Sequence, residues 1–429
     1  MSSRATRFRW AVIALAFAIT LVNYVDRSAI AFAMPILSRT FRLGGEQIGL
    51  TLAAFNVGYA VMVFAGGLMV DRWGARAVWL WAALVWSASI FATAFAASLA
   101  DLFALRLVLG LAEGPNFPGL NRTVGDWLPR PERAVALGSA LVAVPLALMV
   151  GGPLVSELAT RFGWRVMFVI LGLLGAAWVP LWFFLYRDFP EQSRRVNDAE
   201  LALIREQPAA DRGLGSRELR LRRYAAVPGA WRFLLTSPTL LSNDWAFFVF
   251  GYNLFFFMGW LPTYLTRTYG FNLRQTGLFT VLPWALAAAL LYAVSHLSDR
   301  VLRATGSLRR SRSYPIAVSQ LLGGLCVLPL LARPSAGAAL AAISLAVGLN
   351  MSANAAFYAV NVDIIRSRSG TALGIMDFFF AVAGLGASAV TGAIVQATGS
   401  FRGAFLLVFV LNLTSVAGVL LFHHPDRGR

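Results

Sequence analysis

Long apolar runs separated by short polar segments dominate the chain. A helix needs about 20 apolar residues to cross a bilayer, and twelve runs are about that long. They lie at residues 10–33, 48–70, 77–98, 102–125, 134–158, 166–186, 241–266, 276–298, 314–332, 337–362, 370–396 and 403–422. The runs lack the alternation of membrane β-strands. The pattern therefore predicts an all-α polytopic membrane protein with twelve transmembrane helices.

The first run has some features of a cleaved signal peptide. Three arginines precede it, and Ala31-Phe32-Ala33 resembles a cleavage site. The apolar stretch is too long for a signal peptide, however, and Asp26-Arg27 interrupts it before that site. We expect the first helix to be retained.

The composition agrees with a membrane protein and excludes several kinds of chemistry. Apolar residues make up 58% and charged residues 13% of the 429 residues, and the mean hydropathy is +0.67. All 37 basic residues are arginine, which excludes a Schiff-base lysine and a Walker-type phosphate loop. The single cysteine, Cys326, excludes a disulfide framework and a cysteine-built zinc site. Because no nucleophile–base constellation or metal-ligand spacing occurs, we expect neither an enzyme nor a cofactor.

Arginine placement predicts the orientation of the helices. If both termini are cytoplasmic, the cytoplasmic segments contain 26 of the 37 arginines and the opposite loops contain eight. That excess is the positive-inside rule. The net charge of +17 is therefore explained by topology and anionic lipid, and no nucleic-acid partner is needed.

The chain divides into two similar halves. Glu132 to Gly138, at the start of the fifth run, is echoed by Ser367 to Gly374 at the start of the eleventh, and Asp71-Arg72 is echoed by Asp299-Arg300. The predicted units are an N-terminal six-helix half (1–190), a cytoplasmic linker (191–240) and a C-terminal six-helix half (241–429). Two repeated six-helix halves are typical of transporters with a substrate site at the interface.

Four charged residues fall inside the apolar runs of the first half. Arg106 and Glu113 are seven residues apart, so they share one helix face, and Asp26 and Arg27 lie at a similar depth in the first helix. Charges within the membrane usually face a cavity with partners. Arginine suits a substrate carboxylate, and a carboxylate nearby can exchange a proton. A purely structural charge network is the open alternative.

Several motifs carry a family resemblance. Residues Gly66 to Arg76 resemble the loop 2–3 signature of the major facilitator superfamily. Asn23 to Arg27, Gly114 to Pro118 and Trp260 to Leu265 resemble the anion:cation symporter family, which includes bacterial hexonate, hexuronate and glucarate transporters. The resemblance covers essentially the whole chain and implies the superfamily fold in a bacterial inner membrane.

The resemblance also implies roles for individual residues. They are an anion clamp (Arg27), a hydroxyl contact (Tyr24), proton-coupling acids (Asp26 and Glu113), a partner of Glu113 (Arg106) and gating residues (Asp71, Arg72 and Arg76). Tyr59 in the second run is a further substrate-binding candidate, with packing as the alternative.

Two departures from the family concern the substrate. The stretch Val142 to Leu146 is apolar where sugar-acid transporters carry a glutamine, and Met376 to Phe380 contains Asp377 where the family usually has Phe-Asn. Asp377 is a substrate-binding candidate that could contact a hydroxyl or amine. It could also be a second proton site or an acid paired with an arginine. We expect a carboxylate with fewer hydroxyl groups than a hexonate.

The leading hypothesis is a proton-coupled symporter that imports a small organic carboxylate by alternating access. The alternative is a proton-driven exporter of drugs or metabolites, because Pro145 and Gly151 to Pro153 partly mimic an antiporter signature. A sensor or scaffold that kept the fold is a third reading. The expected partners are the organic anion, protons and the lipid bilayer, and the expected state is a monomer.

Overall fold

The described part of the structure consists of helices joined by short turns and loops. The structure, a computed structural model, describes residues 5–204, 230–364 and 369–428. Half of the predicted linker, 205–229, and the first two residues of the second repeat motif, 367–368, lie outside the described residues. So does the side chain of Asp71.

Within the described residues, seven α-helices form the N-terminal part and nine form the C-terminal part. The first seven are α1 (Phe8–Thr40), α2 (Gly45–Trp73), α3 (Ala75–Thr93), α4 (Leu99–Glu113), α5 (Asn116–Trp127), α6 (Arg130–Leu185) and α7 (Asp198–Ile204). The long helix α6 is two spans merged across a kink at Gly163, where φ is 81° and ψ is 161°. A positive φ of this kind favours glycine because glycine has no Cβ.

Nine helices follow in the C-terminal part. They are α8 (Ala230–Thr236), α9 (Pro238–Tyr269), α10 (Leu273–Phe279), α11 (Val281–Thr305), α12 (Tyr314–Leu325), α13 (Ala336–Ser352), α14 (Asn354–Ile364), α15 (Ser369–Thr398) and α16 (Arg402–Phe422).

Each of the twelve predicted apolar runs coincides with a helix or with two helices in succession. Within the described residues, nine helical stretches are long and apolar enough to cross a membrane. The fourth run is less apolar because it contains Arg106, Glu113 and Arg122, and it is divided between α4 and α5. The prediction of an all-α polytopic membrane protein is confirmed.

The fourth and tenth runs both break near their middle. Helix α4 ends at Glu113 and α5 begins at Asn116, with Gly114-Pro115 between them. Proline has no amide hydrogen to donate, which favours an interruption here. Helix α13 ends at Ser352 and α14 begins at Asn354. The fourth spans of the two predicted halves are therefore both broken near the middle. In the first half the break follows directly after the buried Glu113.

The outer surface of the bundle is apolar. Several large apolar side chains are more than 60% exposed: Val61, Trp81, Phe95, Phe184, Leu278, Tyr292 and Leu421. In water such a surface would aggregate, whereas in a bilayer it faces lipid tails. Charged side chains such as Asp26, Arg27 and Glu113 are instead buried within the bundle.

Near the start of the chain Thr6 contacts Asn197 and Glu200 after the sixth span, and near its end the amide of His424 donates a hydrogen bond to Thr239 before the seventh span. Because spans joined by short loops run in opposite directions, these segments lie on one side of the bundle. We call this side the terminal face and the opposite side the distal face. Near the distal face the two parts of the chain touch. A Cβ on Gly49 of α2 would lie 3.0 Å from Cα of Gly392 in α15, and Arg274 donates two hydrogen bonds of 2.8 and 2.9 Å to Glu157. The structure thus has its two parts in close contact at the distal face.

The helix after the sixth span is anchored at the terminal face. Glu200 of α7 is fully buried and accepts hydrogen bonds from Thr6, from the backbone amides of Phe8 and Arg9, and from the Arg9 guanidinium. The two amides belong to the first turn of α1, whose donors have no partner within the helix. Glu200 therefore caps α1 from another segment of the chain.

Candidate functional site

Arg27 and Glu113 form an ion pair in the centre of the N-terminal part. Arg27 Nε donates a 2.6 Å hydrogen bond to Glu113 Oε2, and both side chains are completely buried. Arg27 lies near the middle of α1, and Glu113 is the last residue of α4. Removing one member of a buried pair costs about 3–5 kcal/mol, because the other charge is left without compensation. Any ligand that binds Arg27 must therefore replace or supplement Glu113.

Three aromatic rings enclose the Arg27 guanidinium. Its central carbon lies 4.7 Å from the ring centroid of Tyr24, 4.8 Å from that of Phe55 and 4.6 Å from that of Tyr59. Phe55 and Tyr59 are one turn apart on α2 and stack at 5.7 Å. Arginine interacts favourably with aromatic faces, so the rings restrict the guanidinium and hold it in place.

Part of the Arg27 hydrogen-bonding capacity is unused. Nη1 and Nη2 make no hydrogen bond of normal geometry to the described residues, although Tyr59 is close enough to be a weak polar neighbour. Buried donors are nearly always paired in folded proteins. The two free nitrogens form the end of the guanidinium fork, which is the geometry that receives a carboxylate in a bidentate manner.

Asp26 and Arg106 are buried with hydrogen-bonding atoms that have no partner among the described residues. Neither carboxylate oxygen of Asp26 is hydrogen-bonded, and Nε and Nη1 of Arg106 are also unpaired. Arg106 lies 4.9 Å over the Phe55 ring and interacts electrostatically with Asp26 and Glu113. The family resemblance implies Arg106 as a partner of Glu113, and the two side chains do interact electrostatically. In the structure the hydrogen-bonding partner of Glu113 is Arg27, because α1 passes beside the end of α4.

Two glycines allow the backbones of α2 and α4 to approach each other closely. A Cβ on Gly110 would lie only 1.9 Å from the carbonyl oxygen of Phe55, and one on Gly58 would lie 2.2 Å from that of Leu107. Real Cβ atoms cannot approach so closely, so any other residue would force the helices apart. Small residues allow this type of crossing between membrane helices. The crossing brings Phe55 and Tyr59 against Arg27 and Arg106.

Asp377 faces this cluster from the C-terminal part. It lies on α15, is 9% exposed, and interacts electrostatically with Arg27, Tyr24 and Tyr59. Tyr358 of α14 is a further electrostatic neighbour. The adjoining wall is aromatic, with the ring centroids of neighbouring pairs 5.0 to 6.2 Å apart among Phe247, Phe250, Phe255, Phe357 and Phe380. The site therefore extends between the two parts of the chain.

The candidate gating residues lie apart from this cluster. The backbone amide of Arg76 donates a 2.9 Å hydrogen bond to Asp188, and its guanidinium donates one of 2.8 Å to the carbonyl of Phe183. Arg72 is exposed. Gly74 has φ 86°, and a Cβ there would meet the Asp188 carboxylate at 2.6 Å. The loop between α2 and α3 is thus fixed to the residues that follow α6.

Three residues of the site are not in the sequence prediction. The sequence could have identified Phe55, because it lies four residues before Tyr59 and both rings therefore share one helix face. Asn23 lies beside Glu113 and Tyr358 beside Asp377. The contact of Tyr358 with the cluster depends on how α14 and α15 meet, which no spacing within one helix reveals.

The fold and the buried charge cluster together define a multi-pass membrane transporter. The sequence matches the Major Facilitator Superfamily over residues 16–353, and the chain belongs to that superfamily. The family resemblance in the sequence is confirmed.

Relatives and solved structures agree with this assignment. The Hexuronate transporter of Bacillus subtilis is 32% identical over 424 residues, covering 97% of this chain and 95% of its own. The Probable sulfoacetate transporter of Cupriavidus necator is 31% identical over 411 residues, covering 94% of this chain and 93% of its own. A bacterial homolog of the human lysosomal transporter Spinster, crystallised in an inward-facing and unoccupied conformation, has the same fold. The TM-score is 0.72 at 18% identity, covering 98% of this chain and 95% of that one.

Proposed function

We propose that the protein is a proton-coupled symporter that imports a small organic carboxylate through a bacterial inner membrane. The observation that carries the proposal is the state of Arg27, which holds Glu113 through Nε and keeps Nη1 and Nη2 unpaired. A carboxylate that enters the site finds two donors in a fixed fork. Relatives named for hexuronate and sulfoacetate support an organic anion as the cargo.

Proton coupling follows from competition for Arg27. When Glu113 is ionised, the substrate carboxylate and Glu113 face one guanidinium, and the two anions repel each other. A proton on Glu113 removes that repulsion and leaves the positive charge of Arg27 to the substrate. Asp26, buried beside Arg106 without a hydrogen bond, is the second acid that could hold a proton. Arginine cannot lose its own proton under these conditions, so the carboxylates must carry the coupling.

Alternating access requires the contacts at the distal face to open. With the arginine-rich terminal face in the cytoplasm, the contacts between α2 and α15 and between Glu157 and Arg274 close the periplasmic side. Substrate and proton would enter when these contacts separate and would leave when they form again. The two six-helix units proposed to rock are residues 1–190 and 241–429, joined by the linker 191–240, with Asp71, Arg72 and Arg76 at the gate.

The test is uptake into proteoliposomes by the purified protein. Labelled galacturonate, 4-hydroxybenzoate and lactate serve as probes, with and without an acidic exterior. We expect at least one to accumulate in a gradient-dependent way, and we expect Arg27→Ala to abolish accumulation. Arg165→Ala is the matched control, since Arg165 is exposed and stacks on Trp164 at 4.1 Å.

Two results would decide against the proposal. One is uptake that ignores the pH gradient in the wild type. The other is an Arg27→Ala variant that transports as well as the Arg165→Ala control. Accumulation that requires an acidic interior would support the exporter instead.

A further inference from the structure

Asp377 adds a third acid to a site that has two cations. The cluster contains Arg27 and Arg106 as cations and Asp26 and Glu113 as acids. Helix α15 lies directly against α2 beside this cluster, because a Cβ on Gly384 would lie 2.3 Å from Oδ1 of Asn56, and Asp377 is two turns from Gly384 on α15. No hydrogen bond or ion pair joins the Asp377 carboxylate to the described residues, and the side chain retains 9% exposure. With all five groups ionised, the site carries one net negative charge before any anion enters.

The two sides of the site differ in what they can bind. The free end of the Arg27 fork lies on the N-terminal side and accepts a carboxylate. A small ligand held there directs its other end to the C-terminal side, where Asp377, Tyr358 and the phenylalanine wall lie. A second carboxylate at that end would meet Asp377, and like charges a few ångströms apart repel strongly in a partly desolvated site. A hydroxyl or amino group there would instead donate a hydrogen bond to Asp377.

We propose that Asp377 is a specificity-determining residue that restricts the cargo to monoanions with a hydrogen-bond donor at the end remote from the carboxylate, and that it excludes dianions. This inference rests on the proposed function, because it takes Arg27 as the carboxylate clamp. It separates this chain from relatives whose names specify cargoes with two acidic groups, such as sulfoacetate.

The experiment compares ligands that differ only at the remote end. 4-Hydroxybenzoate and terephthalate share one ring and carry a hydroxyl or a second carboxylate opposite the first. Galactonate and galactarate form a second pair on an open-chain scaffold, with a hydroxymethyl group or a second carboxylate at C6. Binding to the purified protein is measured by titration calorimetry and thermal shift without any pH gradient, so that selectivity is read separately from coupling.

The variants isolate the charge of residue 377. We expect the wild type to bind the monoanion of a pair at least about tenfold more tightly than the dianion. Asp377→Asn should reduce that ratio by about tenfold through tighter dianion binding, and Asp377→Glu should keep it. Asp244→Asn is the matched control, since Asp244 is another buried acid of the C-terminal part and no interaction with Arg27 is recorded for it; its ratio should stay at the wild-type value.

The outcomes separate this inference from the proposed function. Equal binding of both members of a pair by the wild type overturns the role of Asp377, even if pH-driven uptake is intact. An Asp377→Asn variant that changes the pH profile but not the ratio also overturns it and makes Asp377 a second proton site. Selective binding without gradient-driven uptake supports the inference and refutes proton coupling. Failure of every monoanion to bind refutes both.

Discussion

Replacing Glu113 with glutamine tests the competition for Arg27 directly. Glutamine has nearly the same shape as the protonated acid and can still accept the hydrogen bond from Arg27 Nε, now 2.6 Å long. Two opposite charges about 4 Å apart attract by about 4 kcal/mol at an effective dielectric constant of about 20. The retained hydrogen bond to a charged donor is worth about 2 kcal/mol. Glutamine should therefore hold Arg27 less strongly than glutamate by about 2 kcal/mol.

That difference predicts the binding of a substrate. Since a carboxylate at Nη1 and Nη2 no longer shares Arg27 with a charged competitor at Nε, Glu113→Gln should bind it about thirtyfold more tightly than the wild type near neutral pH, because 1.4 kcal/mol corresponds to a factor of ten. The proton taken up when the substrate binds should also disappear. The assay is calorimetry in buffers of different ionisation heat, with affinities measured between about pH 6 and about pH 8, and the slope of log Kd against pH should fall by about one proton.

The refuting results are equally definite. Weaker binding by Glu113→Gln would mean that Glu113 helps to form the site, not that it competes with the substrate. Unchanged proton uptake would place the coupling proton elsewhere, with Asp26 as the next acid to test. Glu46→Gln is the matched control, because Glu46 is an exposed glutamate in the first turn of α2, and it should leave the proton count unchanged.

Three further predictions concern packing and surface charge. Gly110→Ala should lower the yield of folded protein severely, because its Cβ would lie 1.9 Å from a backbone oxygen. Gly138→Ala, whose Cβ would meet no neighbour within 4 Å, should express normally, and size-exclusion profiles distinguish the two variants. The guanidinium of Arg9 lowers the pKa of Glu132 by hydrogen bonding. The stability that this pair contributes is therefore fully present above the unfolded pKa of about 4.3, and it is lost as pH falls through the lower pKa of the folded state. Acidification towards about pH 3 should therefore reduce Tm more in the wild type than in Glu132→Gln, and equal reductions would contradict this. Arg274→Ala removes an exposed ion pair and should change uptake by less than about twofold; a loss of transport would assign the distal contact a larger role.

The sequence was sufficient for the membrane fold because its signals are local. Each span is a contiguous apolar run, and the break after Glu113 follows from Gly114-Pro115. The choice of Arg27 and Asp26 also rested on local information, since charge within an apolar run is costly wherever it occurs.

The pairing within the site was not available from the sequence. Whether Glu113 bonds Arg106 on its own helix or Arg27 on α1 depends on how the helices pack, and the spacing along α4 fixes only that Arg106 and Glu113 share one face. The position of Phe55 between the two arginines likewise depends on the close crossing at Gly58 and Gly110. Such contacts arise from backbone approach between distant segments, which periodicity within one helix does not encode.

The glycine crossing has a mechanical consequence. Because backbone touches backbone at Gly58 and Gly110, α2 and α4 cannot slide past each other and must move as one body. The distal contact at Gly49 lies nine residues from Gly58 along α2, or about 14 Å at a helical rise of 1.5 Å per residue. A tilt of the whole N-terminal part by about 10° around a point near Gly58 would separate the distal contact by about 2 Å, while Phe55 and Tyr59, close to that point, would barely move. The distal contact can thus open while the arginine cradle keeps its shape.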